Sequence, residues 1–248
     1  MASFAAESIY HIGSFPITNT LLSTFAVDAV IIAAVLWIHK HLNNIPNFFQ
    51  NITEIVITTF YELTESVAQT RTAKIFPYFM SFFLFILIAN WSALLPGVGT
   101  IGFFEVVDHK RKLIPLLRGA TSDINTTLAL ALISAVATHM LSIKTIGIRE
   151  YVGRYFSLNP INLFIGVLEI ISEITKVISL SFRLFGNIFA GEIVLLTVST
   201  IFAFLFPLPF LMLEIIVGLV QALVFSMLTM AFMAILTTSH HAEEVSHT

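Results

Sequence analysis

The chain has 248 residues, 57% of them hydrophobic and only 11% charged, where soluble domains carry about 25% charged residues. Its mean hydropathy of +0.92 marks an integral membrane protein. A net charge of -3 with no basic patch outside short loops argues against nucleic acid as a partner, and the lack of cysteine excludes disulfides and thiolate metal sites.

No Lys or Arg precedes Lys40, so the positive start of a cleavable signal is not expected. The first apolar run predicts a span over 20–39, with Asp28 inside it and His39-Lys40-His41 closing it. Positive charge after the span places the N-terminus outside and Lys40 inside. Residues 46–72 read differently. Ile52, Ile55, Val56, Thr59, Phe60 and Leu63 recur at helical spacing, with Glu54, Glu62 and Glu65 elsewhere. That pattern predicts an amphipathic helix near the cytoplasmic interface. A second span is expected over 75–95, ended by Pro96-Gly97, and then a polar loop over 97–121 with Lys110, Arg111, Lys112 and Arg118.

Thr121, Ser122 and Asp123 are N-capping residues, so a third span is expected over 121–143. Residues 145–159 read as a polar connection with Arg149, Glu150 and Arg154. Pro160 then opens a helical stretch to about residue 205. Its some 45 residues would extend about 68 Å, against a bilayer core of about 30 Å. Pro207 and Pro209 mark a turn, and a last apolar helix follows over 210–238. The predicted fold is a single all-α membrane domain of about five membrane helices, with a long tilted hairpin at 160–238. The tail after it carries His240, His241, Glu243 and Glu244 without the spacing of a metal site. The loops assigned inside carry Lys40, Arg71, Lys74, Lys144, Arg149 and Arg154. The outside loop carries Lys110, Arg111, Lys112 and Arg118, so the positive-inside bias is modest.

Arg183 lies within the apolar run Ile178 to Leu196, ISLSFRLFGNIFAGEIVLL. A guanidinium in hydrocarbon costs about 3 kcal/mol or more and does not escape by deprotonation. It therefore needs an anionic partner or a wet cavity. Glu169, Glu173, Lys176, Asn187 and Glu192 share its helix, a composition suited to an ion pathway. Positions seven apart on a helix lie within about 20° of each other, so Lys176 and Arg183 share a face. Glu169 and Asn187 each lie about 40° from Arg183. Glu192 is half a turn out of phase and points toward the returning helix, where Glu214 and Gln221 are again seven apart. Glu192, Glu214 and Gln221 are thus expected to form a buried polar line between the two helices. Asp28 and His139 read as polar groups of helix packing.

The run SFRLFGNIFAGE, the glutamine-bearing LVQALVFSMLTMAF and TSDINTTLALAL resemble, in the same order, the signature segments of subunit a of the F-type ATP synthase. The resemblance covers about residues 75–238. It implies a helical stator subunit of the bacterial inner membrane, not an enzyme by itself and needing no cofactor. The implied partners are a ring of c subunits, the b subunits of the peripheral stalk and the lipid bilayer. It further implies that Arg183 is the essential arginine facing the ring carboxylates, with Asn187 beside it. Glu192, Glu214 and Gln221 match the half-channel to the outer side, Asp123 and Asn125 match residues near its mouth, and Glu169 matches a carboxylate of the cytoplasmic half-channel. The chain departs from some members of the family at Glu214, where they carry a histidine. Two close carboxylates do not readily both ionise, so the relay proton is assigned to the Glu192–Glu214 pair and to neither residue singly. Proton and sodium coupling both stay open, because the ring subunit's ligands decide between them.

Two other classes fit less well. A secondary transporter would show internal inverted repeats, and the polar hairpin has no counterpart in the first half. An intramembrane enzyme would need a Ser–His pair, an Asp pair or a zinc motif within spans, and none is evident.

Overall fold

The computed structural model of the chain describes residues 8–12, 15–95, 98, 102–107, 110–155, 160–201 and 207–238. Helices form where apolar runs are long enough to keep every backbone group bonded within the segment, as a bilayer demands. They are α1 (Asn19–Lys40), α2 (Phe48–Ala68), α3 (Thr72–Ala93), α4 (Ile124–Ile146), α5 (Ile148–Tyr155), α6 (Pro160–Ile201) and α7 (Pro207–Leu236). The stretches 19–40, 48–93, 124–146 and 207–236 are each long and apolar enough to cross a membrane. α6 is a single unbroken helix of 42 residues, about 63 Å long at 1.5 Å per residue, and it runs straight through Gly186, Asn187 and Gly191. Pro207 and Pro209, expected to mark a turn, instead lie in the first turn of α7, where backbone N–H groups have no intrahelical partner to lose. The tail with His240, His241, Glu243 and Glu244 lies outside the described residues.

Two connections hold more structure than the sequence suggested. The loop expected over 97–121 contains an antiparallel hairpin of β3 (Gly102–Val107) and β4 (Lys110–Pro115), in register from Gly102 opposite Pro115 to Val107 opposite Lys110. The cluster Lys110, Arg111 and Lys112 interrupts the apolar and polar alternation that marks a strand in sequence. A second hairpin, β1 (Ser8–Ile12) with β2 (Phe15–Thr18), precedes α1. The connection expected over 145–159 contains α5, whose eight residues are too few to show a helical period.

The core is a layer of side chains between α3 and α7, closed by α4 and α6. Ile75, Phe79, Phe82, Phe83 and Ile86 of α3 are buried against Phe225, Met230 and Met233 of α7, with Leu180 and Leu184 from α6. Lipid tails are as apolar as leucine, so close packing and interhelical hydrogen bonds must hold such helices together. Hydroxyl pairs supply those bonds: Thr127 with Ser181 at 3.2 Å and Ser134 with Thr229 at 2.9 Å. Phe25, Ile32 and Leu36 of α1 and Phe164, Ile171 and Phe182 of α6 face outward, the surface that suits lipid or a membrane partner. α2 packs through Phe60, Leu63, Thr64 and Ala68 and leaves Ile52, Ile55 and Val56 exposed.

Candidate functional site

Arg183 stands on the exposed face of α6 with Phe182 beside it. Among the described residues it makes no hydrogen bond or ion pair. The two groups that the sequence offered as structural partners are engaged elsewhere. Glu169 faces Arg154 of α5, with Nε 2.8 Å from Oε1. That Nε–H is not aimed at the oxygen, so the contact is ionic more than hydrogen bonded. Asn187 donates from Nδ2 to Oε1 of Gln221 on α7 at 2.7 Å.

Behind Arg183, the polar line between α6 and α7 forms in two parts. Glu214 is buried, 6% exposed, and its carboxylate rests directly on the backbone of Gly191. A Cβ added at Gly191 would collide with both carboxylate oxygens. Glu192, the next residue, is half-buried, and the two carboxylates interact electrostatically. The lack of a side chain at Gly191 makes the room for the Glu214 carboxylate on this stretch of α6. Gln221 is buried, but its bond goes to Asn187, which the sequence had put on the arginine's face. Asn187 is itself exposed, so it joins the arginine side of α6 to the relay side. Nε2 of Gln221, one oxygen of Glu192 and the Ser226 hydroxyl are buried without a partner among the described residues. This is unused hydrogen-bonding capacity on α6 and α7.

Next to this seam a buried polar group ties α1, α3, α4 and α7 together. Asp123 caps α4, its Oδ1 accepting from the Asn125 backbone N–H at 3.0 Å, while Oδ2 accepts from the Thr20 hydroxyl of α1 at 3.1 Å. The capping role read from the sequence is met. Asn125 itself is exposed. Sequence reasoning missed Asn90, 2% exposed. It accepts from the Thr121 hydroxyl at 2.8 Å and donates to the Gly218 carbonyl, one turn from Glu214, at 3.1 Å. The indole of Trp91 donates to the Ile215 carbonyl at 3.1 Å. An asparagine inside the apolar run of α3 was the signal that could have found this group.

Toward the other end of α6 lies a second cluster. Lys176, expected to line up with Arg183, instead turns to Glu173 at 2.7 Å and sits 4.4 Å over the Phe232 ring of α7. The flexible four-carbon stem lets the ammonium leave the apolar face for a nearby carboxylate. His139 of α4 accepts or donates at Nδ1 with the Tyr151 hydroxyl, 3.0 Å away, and its Nε2 is 3.8 Å from Glu173 Oε2. Tyr155 stacks edge-on to Tyr151 at 5.3 Å. Burial pushes the Tyr155 phenol well above its ordinary range, with Tyr151, Glu169 and Glu173 adding to the shift. Gly166 admits this arrangement, since a Cβ there would collide with the Tyr155 carbonyl. No group of histidines and carboxylates among the described residues has metal-binding geometry.

The family model described as ATP synthase A chain matches residues 21–234. The chain is 29% identical over 232 residues to ATP synthase subunit a of Moorella thermoacetica, covering 94% of this chain and 96% of that one. It is 31% identical to ATP synthase subunit a 2 of Pelobacter propionicus, covering 92% and 90%. It is 32% identical to ATP synthase subunit a of Legionella pneumophila, covering 93% and 91%.

Proposed function

The chain belongs to the ATP synthase A chain family, and from that premise we propose that it gives the synthase two offset proton half-paths to a rotating ring of c subunits, with Arg183 between them. It is a multi-pass membrane subunit of the synthase, serving ATP synthesis and proton transport, and the chemistry of ATP lies elsewhere in the complex. The b subunits of the peripheral stalk hold it against the turning ring.

The observation that carries this reading is the state of Arg183: a permanent cation on an otherwise uncharged exposed face, with Glu169 and Asn187 committed to Arg154 and Gln221. Such a cation is stable in a membrane only against an external anion or water. A deprotonated ring carboxylate supplies that anion. A proton entering from the outer side reaches the Glu192–Glu214 pair, where one proton held between two carboxylates relieves their repulsion. It passes along the Asn187–Gln221 amides to a ring carboxylate, which then leaves Arg183 and turns. After nearly a full turn the carboxylate meets the inner half-path on the Glu169 side and releases its proton. Arg183 also repels a proton moving directly between the half-paths. Each charge that crosses 100 mV is worth about 2.3 kcal/mol, so a short circuit would dissipate the driving force. Asp123 and Asn125 act at the outer mouth, Asp123 by holding α1 and α4 in place.

The test is Arg183→Ala in the complete synthase reconstituted into vesicles. Assembly is expected to persist, proton-driven ATP synthesis to vanish and passive proton leak to rise. Undiminished synthesis would overturn the reading.

A further inference from the structure

The cluster around His139 has no place in the path as far as the ring, yet it has the parts of a proton relay. Resting on the proton-path reading above, we propose that His139, held between the Tyr151 hydroxyl and the Glu173 carboxylate, is the carrier that hands protons from the inner half-path to water. The Tyr151 hydroxyl at 3.0 Å fixes the ring through Nδ1. Nε2 is left 3.8 Å from Glu173 Oε2, too far for a hydrogen bond but near enough for attraction once the ring is charged. In the tautomer whose Nδ1–H donates to the Tyr151 oxygen, Nε2 is the nitrogen free to gain and lose the proton. The side chain is 28% exposed, so the ring is open to the surface of the chain.

The surrounding groups suit this role. The ring itself meets Tyr151 of α5 and Glu173 of α6; the charged and titratable groups next in the cluster are Tyr155 against Tyr151, Lys176 against Glu173, and the Arg154–Glu169 pair. α7 contributes Phe232 under Lys176. Lys176 compensates Glu173 and Arg154 compensates Glu169. Tyr155 stays neutral because burial raises its phenol. Imidazole is the one side-chain type here that ordinarily changes charge between pH 5 and 8. A proton arriving at Nε2 makes the imidazolium, and the same N–H then breaks to give that proton to water or a buffer base. No other bond forms or breaks.

The test uses the complete synthase in vesicles with the inner face of the membrane sector toward the bulk buffer. His139→Gln keeps a hydrogen-bonding side chain but carries no proton in this range. His139→Ala leaves room for free imidazole. ATP synthesis driven by an imposed potential is measured across buffer pH, with and without imidazole. The expected result is a fall of at least about tenfold in both variants, within the range of a lost proton-transfer group. Added imidazole should restore most of the rate to His139→Ala and nothing to His139→Gln. A wild-type rate and pH profile in His139→Gln would overturn the proposal, as would a loss in His139→Ala that imidazole does not relieve. Arg183→Ala in the same vesicles separates the two readings. If it still makes ATP, the proton-path reading itself fails; if it is dead while His139→Gln is normal, only the role of His139 fails.

Discussion

The carboxylate of Glu214 lies on the bare backbone of Gly191 across the α6–α7 seam, in space that a single methyl group would fill. This contact sets where the buried end of the proposed relay sits, because it brings the Glu214 carboxylate beside Glu192, the residue after that glycine.

Gly191→Ala should therefore separate function from stability. The atoms in the way are the far end of a flexible side chain, so Glu214 can swing aside without moving either helix. Alanine also favours the helix over glycine by up to about 1 kcal/mol. The expected outcome is a complex that assembles and resists heat as well as the wild type, with strongly reduced proton-driven synthesis. Assembly by gel and synthesis in vesicles check both parts.

Glu192 and Glu214 should behave as one unit. Single Gln variants are expected to lose activity, and the double variant to be no worse than the more damaging single, because the lost function is the shared proton. Cysteines placed at the two positions should crosslink on mild oxidation. Independent, multiplying losses with no crosslink would show that the two do not act together.

The Asn187–Gln221 bond should appear as a coupling energy. A double-mutant cycle with Leu at each position, read by thermal stability of the purified complex, is expected to give about 0.6 kcal/mol and not above about 2 kcal/mol. Zero coupling would mean that the 2.7 Å contact is not maintained in the membrane.

Asp123 should matter first as a cap. Asp123→Ala removes both the bond from the Asn125 backbone and that from Thr20. A lost cap costs about 1 kcal/mol, so a lower melting temperature is expected. Asp123→Asn retains an accepting oxygen and should recover most of that stability. If Asp123→Asn keeps the stability but loses synthesis, the carboxylate has a part in the path beyond capping.

Much of this was legible in the sequence because a bilayer leaves few choices. Long apolar runs must become helices, which is why the limits of α1, α3, α4, α6 and α7 could be read nearly as they stand. Helical phase also put Glu192 on the side of α6 that meets Glu214. The tertiary structure decided what period alone does not encode: which polar group meets which. Asn187, four residues on from Arg183 and exposed like it, also reaches across to Gln221, and Lys176 turns to Glu173. In both cases a side chain's reach spans the angles that helical phase distinguishes, so the nearest polar partner wins, on the neighbouring helix for Asn187 and on α6 itself for Lys176. Asn90 meets Gly218, and His139 meets Tyr151 and Glu173, from segments far apart in the chain. Only the packing of α3, α4 and the short α5 around the hairpin brings those groups together, and no local pattern in one sequence carries that information.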